Sequence, residues 1–451
     1  MIRDVEMLVG MFPGQGSYRR GALLDAWRDG DVVVREVYAA VDDAAETLLG
    51  KNLTSVVFSA DPPTAEGLFR QDPDLAQLAA YAQSVAMFQR LHADGVRLTG
   101  LFGHSLGEIA ALVCSGAYSI ADGAALLCER IRVLRELDSS GGVMLALGAS
   151  SERVQEMLAL VGDAASVIAV RNSPQQTVVS GPAEPLRAVA AVAAAIGVNA
   201  TPLRSPHAFH NPLLQVARDE LRRRFTAFAQ LPLRTPVYSP ISGRFYRDTD
   251  DLAELLAQHL VVPVDFGTAI DRLCRAGASA FVEFGPGGTL AGIVRANAPM
   301  ATVVEPFHDT AAAVNFLTAH TAKADVAGTT PSTVDTPAMA PPVVPPQVRN
   351  VQAEVVPSVT AAPSAARDEV FQRVRGLYAE TLGYPEEVLT PEAAFEAELG
   401  IDSVQQTELL QQVTKLFYLT SGNVSAPTTL SNLDSIVDYI IDNRATVGTT
   451  T

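Results

Sequence analysis

Two serines stand where a hydroxyl can do chemistry. The first lies in "GLFGHSLGEIAALVCSG", where Gly103-His104-Ser105-Leu106-Gly107 has the form Gly-x-Ser-x-Gly. That spacing suits a sharp strand-to-helix turn. Side chains two positions either side of the serine would collide there, so both are glycine. The turn sets the hydroxyl at a helix N-terminus, whose amides face developing negative charge. The flanks agree: "RLTGLF" precedes the motif, and "GEIAALVCSG" follows it with helical character. The second serine, Ser403 in "LGIDSVQQTELL", follows Asp402 at the start of an expected helix. Serine and aspartate there also serve as ordinary N-caps.

A nucleophilic serine needs a base. Seven histidines are available. His104 points the wrong way on such a turn and is expected to pack. His92 sits at a helix end, and His259, His308 and His320 lie in surface-like segments. His207 and His210, in "SPHAFHNPLL", occupy a loop between two expected units, and their spacing leaves either as the base. Arg130, in "LLCERIRVL", belongs to the helical run after Ser105. A guanidinium there is either solvated, as expected of Arg132 and Arg135, or grips a carboxylate through two parallel hydrogen bonds.

The elements that must position these residues follow from the pattern. Strand-like and helix-like segments alternate in the N-terminal part, an α/β signature. "VEMLVGMF" and "LTGLFG" read as strands entering glycine turns, and "AQLAAYAQSVAMFQRLHADG" as a helix. Gly142 to Leu203 reads strand, helix, strand, strand, helix, strand. This βαββαβ order predicts a ferredoxin-like unit inserted into the larger α/β domain. "TTPSTVDTPAMAPPVVPPQVRNVQAEVVPSVTAAPSAA" has eight of the 28 prolines and no amphipathic period, and reads as a linker. The last 80 or so residues read as a helical bundle. Val370, Val374, Leu377 and Leu382 mark one helix, Val404, Leu410, Val413 and Phe417 a second, and Ile436, Val437, Tyr439 and Ile440 a third after the capping candidate Ser431. The expected domains are therefore 1–310 (a large subdomain of 1–138 and 205–310, with 139–204 inserted), a linker over 311–366, and a bundle over 367–445.

The chain has 451 residues and a net charge of −17, which argues against nucleic acid or an anionic membrane as partner. Between Arg367 and Ala445 there are 13 acidic and five basic residues, so the bundle is strongly acidic. No apolar run is long enough to span a membrane, and the N-terminus lacks a signal-peptide layout. Cys114, Cys128 and Cys274 are scattered and odd in number, which argues against a disulfide framework or a cysteine-rich metal site. A cytoplasmic location is expected.

"FPGQGS" at Phe12–Ser17, "GHSLGE" at Gly103–Glu108 and "HAFH" at His207–His210 occur in that order. Together they resemble the malonyl-CoA:acyl carrier protein transacylase family, which includes the acyltransferase domains of polyketide synthases. The resemblance covers about residues 7–305 and implies an α/β-hydrolase-like core. It implies Ser105 as nucleophile and His210 as base, with a backbone carbonyl near Ser239 or Pro240 orienting the imidazole. It assigns the oxyanion hole to the backbone N–H groups of Gln15 and Leu106, and gives Arg130 the free carboxylate of a malonyl group. "HAFH" goes with malonyl rather than methylmalonyl, Phe209 filling the space of a methyl branch and His207 beside it. Tyr18 departs from the glutamine the family often has there.

The C-terminal piece, about Arg367–Arg444, resembles an acyl carrier protein, with Val404 in place of the usual leucine after Asp-Ser. That resemblance implies 4′-phosphopantetheine on Ser403 and a following helix, with Glu408, that faces partner enzymes. The implied partners are malonyl-CoA (a coenzyme A thioester substrate), this and other carriers, and a phosphopantetheinyl transferase. With no ketosynthase motif or reductase fingerprint visible, a ketosynthase is expected on another polypeptide. A hydrolase clearing misloaded carriers and a non-enzymatic carrier scaffold are the alternatives.

Overall fold

The computed structural model describes residues 7–325, 363–382 and 432–445, together with 389–391, 395, 409, 412, 413, 416 and 417. Along the chain, β1 (Met7–Phe12) and β2 (Gly100–Gly103) begin one sheet. A second sheet takes β3 (Gly142–Leu147), β4 (Val167–Ser173), β5 (Gln176–Pro182) and β6 (Ala200–Leu203). The first resumes with β7 (Val237–Ser239) and β8 (Arg244–Phe245). The two-residue β9 (Val264–Asp265) joins the second, and β10 (Ala278–Glu283) and β11 (Thr302–Val304) complete the first.

The first sheet has the order β11-β10-β1-β2-β7-β8. All its pairs are parallel except β7–β8. Its central strands are buried on both faces, which is why "LVGMF" and "GLFG" are continuous rather than alternating apolar runs. The helix Pro73–Ala93 is buried on every side from Asp74 to Phe88, and Asp72 caps it by accepting from the Asp74 and Leu75 amides.

The second sheet has the order β6-β3-β5-β4-β9. Its first four strands are antiparallel. With the helices Ser151–Val161 and Ala183–Ala195 they make the expected βαββαβ unit. This unit has its own apolar core around Leu145, Val154, Val179 and Val189. What the pattern did not foretell is β9, which leaves the larger body and pairs in parallel with β4.

The linker expected from 311 is displaced at its start. Thr310–Asp325 is a helix. Its Leu317 is fully buried in the main core, and that burial holds the helix on the larger body. The rest of the expected linker, 326–362, lies outside the described residues. In the C-terminal part, the helices Pro363–Leu382 and Leu433–Ala445 share a core that includes Val370, Val374, Tyr378, Val413, Phe417, Ile436 and Ile440. Asn432 caps the last helix by accepting from the Ser435 amide at 2.9 Å. Ser403, Asp402, Val404, Glu408, Leu410 and Ser431 lie outside the described residues. Among the described residues, no helix is long and apolar enough to cross a membrane.

Candidate active site

Ser105 sits between β2 and the helix Gly107–Cys114, in the left-handed region at φ 53°. Only a few per cent of non-glycine residues adopt such a φ, and the strain is kept where the surroundings over-determine it. The neighbouring glycines show how. A Cβ on Gly103 would come 2.2 Å from the Glu108 amide nitrogen, and one on Gly107 would come 2.0 Å from the Phe12 carbonyl oxygen. The elbow is thus pressed against the chain leaving β1. The His104 amide donates to that same Phe12 carbonyl at 2.9 Å.

His210 is buried and also has a positive φ, 59°. Its Nε2 lies 2.8 Å from Ser105 Oγ, and its Nδ1 lies 3.0 Å from the Val262 carbonyl oxygen. A carbonyl can only accept, so Nδ1 carries the proton and Nε2 is left to accept from the serine hydroxyl. Burial pushes the imidazole pKa down to about 3, helped by the charge influence of His259, while the Val262 bond opposes the fall. The ring is therefore neutral at ordinary pH, the state a general base needs. The orienting carbonyl expected near Ser239 or Pro240 is that of Val262. The reason is the 3-10 turn Gln258–Leu260, whose Gln258 carbonyl accepts the Val262 amide at 2.9 Å and whose Leu260 carbonyl accepts the Asn211 amide at 3.1 Å. The loop is tied on both sides of the imidazole.

Gln15 opens a short 3-10 turn after β1, and Leu106 caps the helix after Ser105. Among the described residues, neither backbone N–H has a protein acceptor.

Arg130, on the helix Ile120–Leu137, is only 5% exposed. Its Nη1 donates to Gln77 Oε1 at 2.6 Å, and its Cζ lies 4.4 Å from the centre of the Phe209 ring. No described carboxylate pairs with it. Burial lowers its pKa to about 10, which still leaves it charged. A buried guanidinium held by a neutral amide and an aromatic face is short of an anion. Its charge is also felt at His210 and His207. His207 packs edge-on to Phe209 at 5.4 Å and pairs through Nδ1 with Asp138 Oδ2 at 2.5 Å.

His104 is turned away as expected, 2.8 Å from Asn172 Oδ1 and edge-on to Phe266. His259 is not on the surface. It is buried with Nε2 3.4 Å from Glu108 Oε2, and Glu108 Oε1 accepts from the Tyr246 hydroxyl at 2.5 Å. Tyr18 is buried with its hydroxyl donating to the Pro63 carbonyl at 3.2 Å. Sequence reasoning missed Val262, Gln77, Asp138 and the Glu108–His259 pair. Only the isolated acid in "GHSLGE" could have hinted at the last.

The site thus holds a strained serine on a strand-to-helix elbow, a neutral histidine on its hydroxyl and a buried arginine with no carboxylate partner among the described residues. The acyl transferase domain family matches residues 9–331, and the phosphopantetheine attachment site family matches residues 372–440. The chain belongs to the acyl transferase domain family. It is 30% identical over 293 residues to the malonyl CoA-acyl carrier protein transacylase of Bacillus subtilis, covering 63% of this chain and 88% of that one. It is 33% identical to polyketide synthase GfsA of Streptomyces halstedii over 63% of this chain, but spans only 4% of that protein's length. The malonyl-CoA:acyl carrier protein transacylase structure from Xanthomonas oryzae superposes with a TM-score of 0.63 at 28% identity, covering 70% of this chain and 99% of that one.

Proposed function

We propose that the protein transfers a malonyl group from coenzyme A, through an ester on Ser105, to the thiol of an acyl carrier protein, in polyketide-type biosynthesis. The observation that carries this is Arg130, a buried cation without a described carboxylate partner, stacked on the ring of Phe209, the residue next to His210 of the Ser105–His210 pair.

The geometry supports the following steps. Ser105 Oγ attacks the thioester carbonyl carbon as its proton passes to His210 Nε2. The resulting imidazolium keeps its Nδ1–H on the Val262 carbonyl, which fixes the ring through the transfer. The N–H groups of Gln15 and Leu106 take the oxyanion. Collapse breaks the carbon–sulfur bond, and His210 returns its proton to the departing thiolate. The malonyl carboxylate rests on Arg130. In the second half, His210 takes the proton of an incoming thiol and gives it to Ser105 Oγ as the ester breaks. Attached to Ser403, a 4′-phosphopantetheine arm supplies such a thiol. The phosphopantetheine attachment match spans Ser403, which supports that role.

Phe209, stacked under Arg130, occupies the space beside the carboxylate, which fits malonyl better than an α-branched homologue. A single methyl is worth about 1–3 kcal/mol of discrimination, so malonyl is a preference. We place the catalytic unit within residues up to 325 and the carrier from 363. The attached carrier, other carriers, a phosphopantetheinyl transferase and a ketosynthase on another polypeptide are the partners this chemistry needs. The scattered free cysteines support a cytoplasmic setting. A hydrolase would share the dyad, but Arg130 and a carrier on the same chain favour transfer. The test is product analysis with malonyl-CoA and the phosphopantetheinylated protein. Transfer yields malonyl on the carrier; mostly free malonate would overturn the reading.

A further inference from the structure

We propose that Asp138 is a specificity-positioning residue, which fixes Phe209 through His207 and so makes the site reject α-branched acyl groups. The inference rests on the reading of Phe209 as the residue that occupies the branch space.

The contacts form one chain. Asp138 ends the helix Ile120–Leu137 that carries Arg130. Its side chain is 3% exposed. One oxygen accepts from the Ser140 amide at 2.9 Å, and the other takes His207 Nδ1 at 2.5 Å. Burial would raise its pKa, but the Ser140 and His207 hydrogen bonds win and hold the carboxyl below its usual range, so it stays an anion. Ser205 fixes the His207 backbone by donating its hydroxyl to the His207 carbonyl at 2.6 Å. The imidazole then meets Phe209 at 67° between planes, and Arg130 covers the ring face. Phe209 is clamped between an imidazole edge and a guanidinium.

The two ends of the clamp come from one helix, Arg130 within it and Asp138 at its cap. Removing the Asp138 carboxylate leaves His207 Nδ1 without its acceptor in a largely buried place. An imidazole must then turn to find another partner, and Phe209 loses its edge contact. Arg130 keeps Gln77. The space beside the α-carbon should therefore open while the grip on the carboxylate persists.

The experiment presents the full-length protein with equimolar malonyl-CoA and methylmalonyl-CoA, and separately with malonyl-CoA and acetyl-CoA. The acyl groups on Ser105 are counted by mass spectrometry at early times. In Asp138→Ala the malonyl to methylmalonyl ratio should fall about fivefold, a part of the 10–200-fold that one methyl can give. The malonyl to acetyl ratio should hold within about twofold by the same scale. Asp138→Asn, which keeps an acceptor for His207, should retain most of the preference. Poor folding of a variant lowers both products together and leaves the ratio readable. An unchanged ratio in Asp138→Ala, alongside a shifted one in Phe209→Ala, would overturn the role of Asp138 and leave that of Phe209 standing. Unchanged ratios in both variants would overturn both.

Discussion

The single residue with the clearest consequence is His210. Its neutral ring is held by a carbonyl on one side and a serine on the other, and burial keeps it from protonating. Acylation should therefore stay level from pH 8 down to about 5, since the pKa is depressed below the ordinary histidine value near 6.5. Stopped-flow release of coenzyme A across that range checks it, and a half-maximal point near 6.5 would show the base to be more exposed than the geometry has it. His210→Ala should slow acylation by about 10²–10⁴-fold, the usual worth of a positioned base. Arg130→Ala should cut malonyl transfer sharply while acetyl gains relative to it. A malonyl to acetyl ratio equal to wild type, measured in competition, would remove Arg130 from the substrate. Ser105 was legible as a candidate because the Gly-x-Ser-x-Gly spacing is a signature of a strand-to-helix turn, whereas spacing left His207 and His210 equal and Arg130 ambiguous, and only the family resemblance singled out His210 and Arg130. The Val262 carbonyl was not legible, since any residue can supply a carbonyl and only the fold decides which one arrives. Asp138 and His207 are 69 positions apart, so their pairing is equally silent in the sequence.

At the scale of the element, the elbow depends on two absent side chains. Gly107 faces the Phe12 carbonyl so closely that any Cβ forces β1 and the nucleophile's helix apart. Gly107→Ala should therefore lower the melting temperature and abolish acylation together, an outcome read by calorimetry and coenzyme A release on the same sample. If the variant melts like wild type and acylates normally, the close approach is not a constraint. The βαββαβ unit was legible because each segment carries its own period and turn residues. The β9 pairing was not, because two residues carry no period and their partner β4 is nearly a hundred positions away by sequence. The burial of His259 escaped for a related reason: its partner Glu108 lies on the nucleophile's helix, far away in the chain. The helix Thr310–Asp325 was taken into the linker because alanine- and threonine-rich sequence gives little amphipathic signal, and only Leu317 and its neighbours reveal the packing face.

At the scale of the whole molecule, one chain joins an acyl transferase domain to a phosphopantetheine attachment domain. A tether sets the local concentration of a carrier, about millimolar for a short flexible linker and lower for a longer one. Loading of the attached carrier should thus be independent of protein concentration, and cutting between 326 and 362 should make it concentration-dependent. Equal rates for cut and intact protein at micromolar concentration would mean that the fusion gives no proximity benefit. The proposed transfer requires Ser105 as the covalent way-station. The most direct measurement is a brief exposure of the protein, without the phosphopantetheine arm, to isotopically labelled malonyl-CoA, followed by peptide mass spectrometry. The label should sit on Ser105 and be absent from Ser105→Ala. Label retained in Ser105→Ala, or found on another residue of the wild-type chain, would contradict the account.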